Sequence, residues 1–547
     1  MGSEAGLDMF VVALLLLCCA FTAFYLERSK SSLVSESGVA MLLGMAVGGC
    51  FELRNADQAA AVAFKEEFFF YGLLPPIILE AGFSMKRRQF FSNFSTILLL
   101  AVVGTLIATF VIGSIISASG YLPSSEAFVY AALISAVDPV ATLSVFKKVG
   151  APEQLFNVVF GESVLNDAVA IVLFQIFDGM RPEHNGGSTE DSFDFTTGKK
   201  VEAVFKLLGI GVGSVVMAAA TTLSTAYLLR RINARTGGAL KHYPDLEISI
   251  VLLTTYLGYV LADLVELSGI VAIFFSGVMT SQYLAHNLSV AAQGALAHVL
   301  HMLAFLAENF VFIYLGLSVF TVSLEASQFE WNFGLIALSM VSILVARALS
   351  VFPLIALANC GRKRKIPWRE QFVIWFAGLR GAIAFALALS YDGGSKGLIR
   401  ATTMFTVVFT TLVLGMATAP LLNWLGLSEH AQQEVEPISE GWQEVASAGL
   451  LSHGGSSAAG AGGGTTSEHG EEPENPTLRG VHGWWRRFDE NTMQPLFGGE
   501  KEARRELLAG DGAPLPPLPP QIPTQSSASS SLEQAASAAH DIDTAAL

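Results

Sequence analysis

Residues 134–174 read ISAVDPVATLSVFKKVGAPEQLFNVVFGESVLNDAVAIVLF and form two apolar stretches, each about long enough to cross a bilayer. These stretches carry three carboxylates, Asp138, Glu162 and Asp167. An ionised carboxylate at the centre of a bilayer costs about 2.5–3.5 kcal/mol even on lenient insertion scales. The three acids are therefore candidates for a functional site inside the membrane.

Four polar residues of the second stretch share one face of the helix that it predicts. Glu162 and Asn166 are four residues apart, and so are Ser163 and Asp167. Side chains at this spacing lie one above the other on a helix. The sequence therefore predicts one polar stripe along the sixth membrane span.

The first stretch predicts a broken helix. Pro139 has no N–H and disfavours helical dihedral angles at Asp138, so carbonyls near Ser135 and Val137 are expected to lack helical partners. Broken helices at membrane depth occur beside a cavity or inside protein. Free carbonyls with a hydroxyl, an amide and carboxylates suit a small hard cation, which prefers oxygen ligands.

The motifs SAVDPVA and FGESVLNDA, in this order on adjacent spans, resemble the eukaryotic sodium/proton exchangers of the monovalent cation/proton antiporter superfamily. The stretches LLPPIILEAGFS, FSGVMTSQYLAHNLS and WFAGLRGAIAFAL look most like the Golgi and endosomal branch. The resemblance covers residues 7–427. It implies an antiporter that works as a homodimer in a Golgi or endosomal membrane, with the plasma membrane as the alternative.

The composition indicates a multi-pass membrane protein. Of 547 residues, 52% are hydrophobic and only 14% are charged, which is too apolar for an ordinary soluble protein. The net charge of −15 comes from acids in the tail and one loop, so we expect no nucleic-acid partner. The four cysteines lack the spacing of a zinc site or a disulfide framework. We expect a transporter rather than an enzyme, surrounded by membrane lipids and with no cofactor besides its ions.

Hydropathy predicts an all-α fold of about thirteen transmembrane helices. The spans are 7–26, 33–51, 68–83, 95–117, 127–146, 156–177, 201–229, 246–265, 269–283, 295–320, 333–358, 371–391 and 398–425. An odd number of spans places the two termini on opposite sides. Most Lys and Arg lie in loops that follow odd-numbered spans, which predicts a lumenal or extracellular N-terminus and a cytosolic C-terminus.

Span twelve predicts a second break, because Gly378 and Gly381 weaken the helix around Arg380. This break lies seven spans after the first, so the two broken helices have opposite orientations. Such a pair predicts two inverted six-helix repeats joined by span seven. The resemblance implies that spans 4–6 and 11–13 form the ion-carrying core, and that spans 1–3 and 8–10 form the scaffold and the dimer contact.

Arg347 and Arg380 are the two basic residues well inside predicted spans, and each needs an acidic partner there. The resemblance points to a structural pair of Glu162 with Arg347, while Arg380 supports the helix crossing. A pair of Glu162 with Arg380 is the alternative. In both cases Glu162 is interpreted as an anchor rather than as the site of the transported proton.

Other polar residues give weaker indications. Glu80 and Glu308 are candidates for the cation pathway, although Glu80 also fits an interfacial acid beside a proline kink. Asp263 near a span end is interpreted as an interfacial charge. Histidine is the side chain that ordinarily titrates near neutral pH, so three histidines are candidate pH sensors: His286, His298 and His301. The alternative is that they are plain polar residues.

The predicted activity is electroneutral exchange of one Na+ or K+ for one H+ by alternating access. Asp167 is the shared ligand, with Ser163, Asp138, the Val137 carbonyl and water completing the shell of a metal ion, and Asn166 orienting the site. The alternatives are a strict K+/H+ exchanger, a conductive cation channel and a non-transporting sensor. A channel is disfavoured because the sequence shows no charge ring or carbonyl filter.

Residues 428–547 are rich in Gly, Ser, Ala, Pro and acids and predict a largely disordered cytosolic tail. A PxxP-like run at 514–520 is interpreted as a spacer or as a site for a tail-binding regulatory protein. The island GWWRRFDENTMQPLFGG, at 483–499, fits a membrane interface or a docking surface. It resembles a short tail motif of the endomembrane exchangers.

Overall fold

The structure is a computed structural model of the 547-residue chain. It describes residues 2–29, 36–54, 66–85, 87–138, 142, 145–146, 149–181, 197–324, 330–362, 365–427 and 488–498. Residues Met1–Glu500 form one compact unit, and Lys501–Leu547 form a second unit that lies outside the described residues. The PxxP-like run and most of the predicted disordered tail also lie outside them.

Every regular element in the described part of the chain is a helix. We number the long helices α1 to α13, and count a short π-helical or 3-10 turn that continues a helix as part of it. Their bounds are α1 Gly2–Ser29, α2 Glu36–Arg54, α3 Glu66–Phe68 with Phe69–Leu73 and Leu74–Phe83, α4 Arg87–Leu98 with Leu99–Gly104 and Thr105–Ser119, α5 Ser124–Ile134, α6 Glu153–Gly179, α7 Thr197–Thr236, α8 Pro244–Leu264, α9 Gly269–Met279 with Thr280–Leu284 and Ala285–Asn287, α10 Val290–Leu324, α11 Phe333–Gly361, α12 Trp368–Phe376 with Ala382–Ser390, and α13 Lys396–Phe409 with Thr410–Leu414 and Gly415–Trp424.

Seven described helices are long and apolar enough to cross a membrane. They are Phe90–Ser119, Glu153–Gly179, Gly209–Thr236, Pro244–Leu264, Val290–Val319, Phe333–Gly361 and Lys396–Trp424. Shorter apolar helices lie at four of the other predicted spans. The predicted all-α membrane fold is confirmed, while the count of thirteen spans stays a prediction.

The first predicted break lies directly after α5. The helix ends at Ile134, and residues 135–138 have no regular secondary structure. The physical reason is the one that the sequence supplies, since Pro139 disfavours helical geometry at the residue before it. Backbone groups near the end of α5 therefore lack the hydrogen-bond partners that a continuous helix would give them.

The second predicted break divides α12. Its halves, Trp368–Phe376 and Ala382–Ser390, are separated by residues 377–381. The two breaks meet, because the Asp138 N–H donates a hydrogen bond of 3.0 Å to the Leu379 carbonyl. Each unwound segment thus supplies a partner to the other.

Helix packing gathers the broken helices into one group. Helix α5 packs against α4, α6 and the second half of α12, and that half also packs against α13. Elsewhere α2 packs along α10, α3 along α9, and α7 against α8 and α9. The polar stripe of α6 therefore lies beside both breaks.

Candidate functional site

Helix α6, Glu153–Gly179, carries the polar stripe into the interior of the protein. Glu162, Ser163, Asn166 and Asp167 are all buried, none of them more than 5% exposed. The i, i+4 spacing places the four side chains on one side of the helix. Burial of this many polar groups requires partners or a bound ion, because each would otherwise lose its water without compensation.

Asp167 faces the first break. It accepts a hydrogen bond from the Val137 backbone N–H and lies within electrostatic reach of the Asp138 carboxylate and the Arg380 guanidinium. The Val137 group that faces the carboxylate is thus the N–H; its carbonyl stays a predicted ion ligand. Two carboxylates and one buried guanidinium meet at the crossing of the broken helices.

Arg380 holds the two breaks together and is fully buried. Its Nη1 donates to the carbonyl of Ala136 at 3.3 Å, one of the groups that the end of α5 leaves without a helical partner. Its own backbone is bound by α13, because its N–H donates to Thr410 Oγ1 at 3.1 Å and its carbonyl accepts from Thr411 Oγ1 at 3.3 Å. This geometry fits the predicted support of the crossing.

Glu162 contacts Arg347 on α11. Arg347 Nη1 donates to Glu162 Oε1, and Nη2 donates to the Ile374 carbonyl at 2.8 Å. Both charged side chains are buried. A Cβ atom at Gly378 would lie 2.7 Å from Arg347 Nε, so the glycine gives the guanidinium room beside α12. Of the two arginines open to Glu162 from the sequence, Arg347 is the one in contact.

Two oxygen atoms beside Asp167 are free to bind a ligand. Ser163 Oγ and Asn166 Oδ1 are buried and have no hydrogen-bond partner among the described residues. Both belong to residue types that coordinate hard cations through oxygen. The arrangement therefore provides neutral oxygens next to a carboxylate.

Gly381 allows Asp138 to approach α12. An added Cβ would lie 2.0 Å from Asp138 Oδ2, and the Gly381 φ of −130° is extended backbone that any residue adopts. We therefore expect Gly381→Ala to displace Asp138 by steric overlap alone and to lower the exchange rate at least tenfold. Cation-dependent pH recovery in proteoliposomes measures this.

Gly294→Ala on α10 is the matched control, because a Cβ atom there meets nothing within 4 Å. The control should exchange at the wild-type rate. Wild-type exchange by Gly381→Ala would show that the position of Asp138 does not matter for transport.

The other predicted polar residues lie apart from the crossing. His301 Nδ1 on α10 is 3.7 Å from Glu80 Oε1 on α3, and Glu308 lies half-buried on α10. Asp263 at the end of α8 is exposed and accepts a hydrogen bond of 2.5 Å from the Tyr71 hydroxyl. Glu80 and Glu308 remain candidates for a cation pathway.

Sequence reasoning missed the hydroxyl contacts that surround the crossing. Tyr130 on α5 hydrogen-bonds Ser339 on α11, and both are buried. Helix α13 carries buried threonines at four-residue spacing, Thr402, Thr406 and Thr410, of which the last binds the α12 break. The spacing alone was no signal for this contact, because Thr402 and Thr406 donate to carbonyls of their own helix, as threonines in helices commonly do.

Comparisons with known proteins identify the family of the chain. A family model described as the transmembrane sodium/hydrogen exchanger matches residues 11–424. The chain is 36% identical over 440 residues to sodium/hydrogen exchanger 8 of Homo sapiens, covering 78% of this chain and 73% of that protein. It is 32% identical over 529 residues to sodium/hydrogen exchanger 1 of Oryza sativa subsp. japonica, covering 91% and 93%.

Another relative is longer than this chain. Identity to sodium/hydrogen exchanger 1 of Dictyostelium discoideum is 34% over 448 residues, which cover 80% of this chain and 63% of that protein. Among solved structures, the sodium proton antiporter MjNhaP1 from Methanocaldococcus jannaschii is similar in fold. Its TM-score is 0.55 at 21% identity, and the match covers 79% of this chain and all of that one.

Proposed function

Because the chain belongs to the sodium/hydrogen exchanger family, we propose that it exchanges one Na+ for one H+ across a membrane, with Asp167 as the shared ligand. The observation that carries this proposal is the position of Asp167. It is buried beside Asp138 and the Val137 N–H, where two broken helices cross. Broken helices that meet at mid-membrane form the ion sites of many secondary transporters.

The exchange follows from the cost of a buried charge. A carboxylate away from water is stabilised either by a proton or by a cation, and the two compete for the same oxygens. Three groups supply neutral oxygens for the cation: Ser163 Oγ, Asn166 Oδ1 and the Val137 carbonyl. Asp138 supplies a second carboxylate. Glu162 is already bound to Arg347 and serves as a structural anchor.

Electroneutral exchange is part of the proposal and rests on Asn166. Position 166 presents a neutral amide, which leaves Glu162 and Asp167 as the two acids of the polar stripe. Glu162 is paired with Arg347, and in the described contacts Asp167 has no arginine on its carboxylate oxygens. If one carboxylate carries either one proton or one monovalent cation, both transport forms have the same net charge. The transport cycle then moves no net charge across the membrane, so the membrane voltage does not drive it.

Several finer assignments also belong to the proposal. K+ is the second candidate for the transported ion, because small differences in oxygen distances decide between the two cations and the sequence does not set those distances. The sequence stretches that resemble the Golgi and endosomal branch support a location in those membranes. The basic loops after odd-numbered spans support a cytosolic C-terminus. We further propose a core of α4–α6 and α11–α13, a homodimer formed through the α1–α3 and α8–α10 scaffold, and tail-binding regulatory proteins.

Voltage tests the stoichiometry directly. Wild-type protein is reconstituted in K+-free buffer with equal Na+ and pH on both sides, because K+ is itself a candidate substrate. A gradient of the membrane-permeant anion thiocyanate imposes the potential while the pH inside the vesicles is followed. We expect no Na+-dependent, protein-dependent proton flux.

Two controls isolate the protein: choline replaces Na+ in one set of vesicles, and protein-free vesicles report the proton leak. A voltage-driven proton flux that requires both Na+ and the protein would show that more than one proton moves per cation. Asp167 would then not be the sole titrating ligand.

A further inference from the structure

The described part of the tail, residues 488–498, lies against the helical bundle. We call it the tail segment. It contains the turn Asp489–Met493 and the short helix Gln494–Phe497. Met493 and Phe497 pack into the hydrophobic cluster that includes residues of α3, α7, α9 and α10. This contact provides an apolar anchor at two positions of the segment.

Backbone carbonyls at the end of the short helix are bound by side chains of α7 and α9. The Arg230 guanidinium on α7 donates to the carbonyls of Gln494, at 3.2 Å, and Pro495. Asn287 at the end of α9 donates from Nδ2 to the Phe497 carbonyl at 2.7 Å. The Gln494 carbonyl also accepts the Gly498 N–H at 2.9 Å. The carbonyls of Pro495 and Phe497 lie in the last turn of the helix, where partners from outside are needed, and these two side chains supply them.

The same side chains also join α7 to α9. Asn287 Nδ2 donates to the Ala226 carbonyl at 3.1 Å, and Asn233 Nδ2 donates to the Asn287 carbonyl at 3.2 Å. Asn287 is buried, and its bond to Ala226 orients the amide through a contact that does not involve the tail segment. A buried, oriented donor that points at a peptide carbonyl is a built site rather than a chance surface contact.

One side-chain pair and one glycine set the direction of the segment. The buried Tyr283 hydroxyl on α9 donates to Asp489, whose other oxygen accepts from Gln494 Nε2 at 2.9 Å. Gly498 has φ +92°, and a Cβ there would lie 2.3 Å from Asn287 Oδ1. Only glycine combines this backbone conformation with so close an approach to the asparagine.

From these contacts we infer that the C-terminal ends of α7 and α9 form a peptide-binding site, and that the tail segment is its occupant. The ligand class is a short helix with a methionine and a phenylalanine on its apolar side, an aspartate before it and a glycine after it. This site is separate from the ion site and its inference does not depend on the transported cation.

Hydrogen–deuterium exchange on the full-length protein in nanodiscs tests the site. We expect amides of the tail segment to exchange at least tenfold more slowly in the wild type than in Arg230→Ala or Gly498→Ala. Arg231→Ala is the matched control, because Arg231 is exposed and its described hydrogen bond goes to the Tyr227 hydroxyl. It should keep the wild-type protection.

A fluorescent peptide with the sequence of residues 488–498 then distinguishes the site from the segment. The peptide should bind saturably to Gly498→Ala, whose site is intact and whose own segment is released. Wild type should bind it at least tenfold more weakly, because the tethered segment competes at a high effective concentration. Arg230→Ala should not bind it.

Three results would overturn the inference. One is exchange of the wild-type segment at the rates of an unfolded peptide. Another is equal protection in Arg230→Ala and Arg231→Ala. The third is peptide binding to Arg230→Ala as tight as to Gly498→Ala.

Discussion

Asp167→Asn should abolish exchange and leave the fold intact. The substitution keeps the shape of the side chain and removes the one charge that a proton or a cation neutralises in the proposed cycle. A buried neutral amide also avoids the cost of an unpaired carboxylate, so the protein should fold at least as well as the wild type. Proteoliposomes loaded with a pH-sensitive dye measure the result as loss of Na+-dependent pH recovery.

Asp263→Asn is the matched control for that experiment. It makes the same chemical change at an exposed aspartate on α8, which hydrogen-bonds Tyr71 and lies apart from the helix crossing. We expect it to retain exchange. Na+-dependent recovery at the wild-type rate in Asp167→Asn would contradict the proposed mechanism, because a site without a titrating acid would still be exchanging protons.

The positions of both breaks were predictable because local chemistry alone causes them. Pro139 prevents helical pairing around residue 135 whatever the rest of the chain does, and Gly378 with Gly381 lowers helix stability in α12. The i, i+4 rule likewise placed Asp167 and Ser163 on one side of α6. Each of these inferences needs only residues close together in the sequence.

Contacts between distant helices were harder to predict. Both Arg347 and Arg380 could reach Glu162 as far as the sequence shows, and the choice depends on how α11 and α12 lie against α6. In the structure Arg380 is turned towards the Ala136 carbonyl, which leaves Arg347 for the carboxylate. Helix rotation and crossing decide such pairs, and neither follows from local sequence.

The tail segment shows the same limit. The aromatic and basic residues of the island at 483–499, which contains this segment, indicated a docking or membrane-interface element, but not which surface receives it. The receiving groups, Arg230 and Asn287, lie more than two hundred residues earlier in the chain. The role of Asn287 could not be predicted from the sequence, because its amide binds a backbone carbonyl and every residue has one.

Glu162→Gln should destabilise the protein more than Asp167→Asn does. The glutamine leaves the Arg347 guanidinium buried, with the Ile374 carbonyl as its described partner and without the carboxylate that it pairs with in the wild type. Breaking a buried ion pair by removing one partner costs about 3–5 kcal/mol. Asp167→Asn strands no comparable charge, because Arg380 keeps its bond to Ala136.

The double variant Glu162→Gln with Arg347→Met tests that physical reason. Removing both charges also removes the buried guanidinium, so the double variant should recover part of the lost melting temperature. Melting temperatures in one detergent, by tryptophan fluorescence, compare all three proteins with the wild type. Equal values for Glu162→Gln and Asp167→Asn, or a double variant less stable than Glu162→Gln, would contradict the anchor. In either case the pair of Glu162 with Arg347 would not be the structural anchor of the fold.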